Sequence, residues 1–78
     1  MLYLKYIKQQ EVVMITYKPL LKLLIDRNIK KMELIEMANI SNATLAKLSK
    51  NDYVALEVID KLCKALNCKP GDILDYEE

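Results

Sequence analysis

Apolar residues recur along the chain at helical spacing in four stretches, with polar breaks between them. Leu20, Leu21, Leu24 and Ile25 mark a buried helix face between Lys18-Pro19 and about Asn28, with Pro19 in the first turn, where its missing N–H is harmless. Leu34, Ile35 and Ala38 form a second stripe, and Leu45 and Leu48, with Ala46 marginally, a third. Leu56, Ile59, Leu62, Cys63 and Leu66 give the clearest 3–4 spacing and predict a helix that closes the core. Pro70-Gly71-Asp72-Ile73-Leu74 then reads as a loop and a last short turn of helix, returning Ile73 and Leu74 to the core. The pattern predicts an all-α fold, a compact bundle of four to five short helices.

The terminators are as regular as the stripes. Asn28, Asn39, Asn51 and Asn67 each follow an apolar-periodic segment, and the chain has one glycine. Asparagine tolerates the left-handed conformation that ends a helix, so it is expected to serve as the helix terminator throughout. Between Lys30 and Asn51 this punctuation produces a specific unit. One short helix ends at Asn39, Ile40 follows, and Ser41 stands as a preferred N-cap for the next. Two helices joined so tightly cross steeply, which is the helix-turn-helix arrangement.

These residues resemble the Cro-type (lambda-repressor-like) helix-turn-helix family, in particular its small single-domain transcriptional regulators. Lys31 stands where the family often has Gln, Leu34 and Ile35 lie in the first helix, and Asn39 occupies the usual turn glycine. Ile40-Ser41 matches the apolar-then-Ser pair of the turn, and Thr44-Leu45 and Leu48 lie inside the second helix. The likeness extends through Leu56 to Leu74 and back to Tyr17 to Ile29, nearly everything after Met14. There are three departures. Lys30 replaces the usual capping Ser or Thr, weakening a cap; Ile35 replaces a small Ala, widening the helix crossing; Asn39 replaces Gly, a mild change.

Residues 1–13 lie outside that likeness. Gln10-Glu11-Val12 can be encoded by a purine-rich ribosome-binding sequence just before the Met14 codon, so one reading makes Met14 the natural start and residues 1–13 a translated leader. The other is a genuine apolar arm, with strands through Tyr3 to Ile7 and Val12 to Ile15. Both stay open here, and the domain is placed at residues 14–78.

Composition narrows the function classes. Seventy-eight residues make one domain with a thin core, and 53% apolar content at helical spacing argues against disorder. With no apolar run of spanning length and no signal-peptide pattern, a cytoplasmic protein without a membrane partner is expected. The absence of His removes the commonest general base and zinc ligand, and a single Gly excludes a phosphate-cradling glycine loop. Cys63 and Cys68, five apart and without further cysteines, make a poor metal site and are expected reduced, Cys63 as a small core residue. No catalytic residue, cofactor, metal or small-molecule effector is expected, and Glu33 and Glu36 read as a solvated helix face. Net charge is only +1, yet Lys30, Lys31, Lys47 and Lys50 fall in the central unit while Asp72, Asp75, Glu77 and Glu78 crowd the C-terminus.

The second helix of the unit is the candidate reading surface. With Leu45 and Leu48 turned inward, Asn42, Ala43, Ala46, Lys47 and Lys50 lie opposite. Asn can bond adenine bidentately, Ala can meet a thymine methyl, and Lys can reach guanine acceptors or a phosphate. The family resemblance implies base contacts at Asn42, Ala43 and Lys47, and phosphate contacts at Lys31, Ser41, Lys50 and Asn51, with Thr44 either bonding within its helix or touching the sugar-phosphate edge. Ser41 reads first as a cap, and Lys31 and Lys50 also suit ordinary solvated positions. The expectation is a sequence-specific DNA-binding transcriptional regulator, a repressor, bound as a homodimer to a two-fold operator. Ile73, Leu74, Tyr76 and an edge strand at Met14–Tyr17 are the candidate dimer surface. The alternative is a protein-interaction module or antitoxin-like partner on the same fold, which the modest charge favours.

Overall fold

The computed structural model describes residues 14–77. The elements are β1 (Met14–Thr16), α1 (Lys18–Asp26), α2 (Lys31–Ala38), α3 (Asn42–Ser49), α4 (Leu56–Leu66), a 3-10 turn (Pro70–Asp72) and β2 (Asp75–Glu77). The readings of residues 1–13 as leader or arm fall outside the described residues.

All four helices end alike. Asn28, Asn39, Asn51 and Asn67 have φ between 53° and 62°, and no other described non-glycine residue has a positive φ. The amide after each asparagine then reaches back five residues: Ile29 to the Leu24 carbonyl at 2.8 Å, Ile40 to Ile35 at 3.2 Å, Asp52 to Lys47 at 2.9 Å and Cys68 to Cys63 at 3.0 Å. This is the Schellman closure, and it sets the side chains of the two bonded residues against one another. The helix starts are more varied. Lys30 makes no side-chain cap, but the Glu33 carboxylate accepts from its amide at 2.8 Å and offsets the missing Ser or Thr. Glu33 is therefore a cap, not simply part of a solvated face.

Each helix sends at least one leucine fully inside: Leu20, Leu34, Leu48, Leu62 and Leu66, joined by Ile73 from beyond the 3-10 turn. Tyr17, Leu24, Ala38, Ile40 and Ile59 complete the cluster. Cys63 is half-buried at its edge rather than within it. Two stripe residues are corrected. Ile25 is 78% exposed and Leu56 82% exposed. Leu56 opens α4, and helical side chains lean toward the N-terminus, so it projects past the end of the core. On α1 the buried line runs through Tyr17, Leu20 and Leu24, with Leu23 packed beside it and Ile25 rotated outward.

The helical fold carries a small addition: β1 pairs with β2 antiparallel, Ile15 opposite Tyr76. Met14–Thr16 is thus paired within its own chain. With Ile73 and Tyr17 buried as well, Met14 and Tyr76 are the exposed remainder of the candidate dimer surface, beside a half-buried Leu74. Lys18 bridges to Glu77 at 2.6 Å across this corner. Among the described residues no helix is long and apolar enough to cross a membrane.

Tyr17 ties the N-terminal strand to the central unit. Its hydroxyl donates to the Asp52 carbonyl at 2.8 Å and its amide to Asn51 Oδ1 at 2.9 Å. Burial, and secondarily the Asp52 charge, raise the phenol pKa above the usual 10.0. The neutral phenol is favoured in the fold, so its contribution is complete below the unfolded value and is lost as pH rises through the folded one. Thermal melts between pH 9 and pH 11 (roughly the tyrosine range) are expected to show a decline that Tyr17→Phe reduces. An unchanged alkaline slope in the variant counts against this origin.

Candidate nucleic-acid interface

The central unit is α2, the turn Asn39-Ile40-Ser41, and α3. The turn works because Asn39 takes the left-handed conformation, Ile40 drops into the core, and Ser41 caps α3 by accepting from the Thr44 amide at 3.1 Å. Ser41 Oγ in turn donates to Thr44 Oγ1 at 3.0 Å, so Thr44 bonds within its own helix, one of the two expectations for it. Lys61 of α4 reaches the Asn39 carbonyl at 3.3 Å, placing a cation at the C-terminal end of α2 and holding the turn from behind. Ser41→Ala is expected to cost about 0.5–2 kcal/mol in chemical denaturation. A loss below that range would mean that Ile40 burial alone sets the start of α3.

Asn42, Ala43, Ala46, Lys47 and Lys50 are all exposed, on the side of α3 opposite buried Leu48 and half-buried Leu45. Lys31 and Ser41 are exposed beside them. The ion pairs among the described residues are Lys18–Glu77 and Lys64–Asp60, so no lysine of the central unit pairs with a described carboxylate. The α3 closure bonds the Asp52 amide to the Lys47 carbonyl at 2.9 Å, so the two residues are backbone neighbours.

Asn51 differs from the rest. Its side-chain carbonyl is occupied by the Tyr17 amide and its backbone is left-handed, so its first role is structural. Only the Nδ2 group is left to donate outward. Sequence reasoning took Asn51 for a terminator and a phosphate ligand but missed Tyr17 as its partner. Nothing local marks a bond between residues so far apart in sequence.

The geometry is that of a short helix presented on its small and basic side by a rigid turn. Residues 19–78 match the family model of the Cro/C1-type HTH DNA-binding domain. The chain belongs to that family. It is 46% identical to the transcriptional regulator VanUg, whose crystal structure superimposes with a TM-score of 0.78 over 83% of this chain and 87% of that one. It is also 39% identical over 52 residues to YozG of Bacillus subtilis (strain 168), an uncharacterized HTH-type transcriptional regulator. That match covers 60% of this chain and 62% of YozG, just under two thirds of the relative's length. In this family member α3 is the second helix of the motif, the position that helix-turn-helix proteins place in the major groove.

Proposed function

We propose that the protein is a transcriptional repressor, acting as a homodimer on a two-fold operator. The observation that carries this reading is the exposed row Asn42, Ala43, Ala46 and Lys47 on the recognition helix of a Cro/C1-type domain. Asn42 and Lys47 read base edges, while Ala43 and Ala46 allow close approach to the groove wall and Ala43 meets a thymine methyl. Lys31, Lys50, the Ser41 end of α3 and Asn51 Nδ2 hold phosphates. A domain this small reads few base pairs, so a second copy supplies the rest of the specificity, with half-sites about one helical turn apart. The protein works by binding rather than catalysis, in the cytoplasm, without a cofactor or small-molecule effector.

Selection from a random duplex pool tests the reading. An enriched palindrome is expected. Failure to bind any duplex would move the protein to the interaction-module or antitoxin-like class, and sedimentation as a monomer both free and on DNA would remove the dimer.

A further inference from the structure

We infer that Cys63 and Cys68 form a reversible dithiol–disulfide modification site, with Cys68 as the attacking thiol and Cys63 as the resolving one. The argument starts from the four helix closures. Two of them bring apolar pairs together, Leu24 with Ile29 and Ile35 with Ile40, as a Schellman closure ordinarily does. The closure of α4 uses the same backbone geometry, with Asn67 at φ 53° and the Cys68 amide 3.0 Å from the Cys63 carbonyl, but the residues it brings together are two free thiols. The closure sets the two side chains against one another, and the Cys63 thiol is a hydrogen-bonding neighbour of Cys68, the proximity a disulfide requires.

Access distinguishes the two sulfurs. Cys68 lines an open cleft of about 460 Å³ together with Lys22, Leu23, Asp26, Arg27 and Asp72, and Cys63 does not line it. Cys68 is thereby open to a soluble oxidant entering the cleft. Burial, and then the neighbouring Cys63 thiol, raise the Cys68 pKa, with Arg27 opposing. Cys68 therefore reacts through a small thiolate fraction at neutral pH.

The co-reactant is a low-molecular-weight disulfide. The Cys68 thiolate attacks one of its sulfurs, forming a mixed disulfide and releasing the first small thiolate, which takes up the proton Cys68 gave up. The Cys63 thiolate then attacks Cys68 Sγ, forming the protein disulfide and releasing the second small thiol with the proton from Cys63. The protein loses two hydrogen atoms and two electrons, and the small disulfide is reduced to two thiols. Excess small thiol runs the steps backward.

Oxidised glutathione serves as the probe on the full chain, read by intact mass and by tryptic mapping without reductant. Cleavage after Lys61 and Lys64 puts the two cysteines on separate peptides, 62–64 and 65–78, because the Lys69–Pro70 bond resists trypsin. The expected product joins those peptides, lacks the mass of two hydrogens and retains no glutathione. Cys63→Ala should stop at a stable glutathione adduct on Cys68, and Cys68→Ala should stay unmodified, with circular dichroism confirming that both variants are folded. An unreacted wild type, glutathione retained on both thiols, disulfides between chains, or modification of Cys68→Ala at the wild-type rate would each overturn the inference. None of these outcomes depends on DNA binding.

Discussion

Leu48→Ala is expected to lower the stability of the domain by about 2–5 kcal/mol, the range for removing a fully buried leucine. Leu48 is 1% exposed and anchors the recognition helix to the core. Whole domains are stable by only about 5–15 kcal/mol, and one of this size buries little beyond its single cluster. The variant should therefore populate unfolded chain at working temperature and lose DNA affinity in proportion. Leu45 also faces inward but is half-buried, so Leu45→Ala should cost less. Urea titration of both variants checks the order: equal midpoints would mean that α3 is not anchored mainly through Leu48.

Lys47→Ala is expected to change which sequences the protein prefers, through loss of a base-edge contact contributing ~1–3 kcal/mol of discrimination. Lys31→Ala and Lys50→Ala should instead weaken binding to every duplex alike. Each should also flatten the dependence of log K on log salt by about one unit, because a neutralised phosphate no longer releases its counterion. Titrations on selected and scrambled duplexes at several salt concentrations separate the two kinds of contact. Equal losses on both duplexes for Lys47→Ala would make it a phosphate ligand and leave Asn42 and Ala43 to read bases.

What could be read from the chain was local. The asparagine terminators, the Ser41 cap and the inward leucines follow from backbone preference and helical period, both encoded within a few residues. Ile25 and Leu56 were misjudged because periodicity does not say where a helix runs out of core to face. Lys30 looked like a weak cap because the compensating bond comes from Glu33 to its amide. The bonds of Tyr17 to Asn51 and Asp52, and the Met14–Thr16 pairing with Asp75–Glu77, join opposite ends of the sequence. Met14–Tyr17 was legible as an edge strand, but its partner was not, because Asp75-Tyr76-Glu77 carries a single apolar residue. The exposed row on α3 was legible as a face, whereas the contacts assigned to its members rest on the proposed function.

That sheet also bears on the order of folding. Closing Met14 onto Glu77 encloses nearly all of the described chain, so the pairing carries the longest loop-closure entropy in the domain and returns few hydrogen bonds. The helices and the Schellman turns between them are built from contacts a few residues apart, which form early and set fast rates. The strand pair is then the last piece to dock and the first to fray. Substitutions at Ile15 or Tyr76 should accordingly alter the unfolding rate far more than the folding rate, giving φ-values near zero.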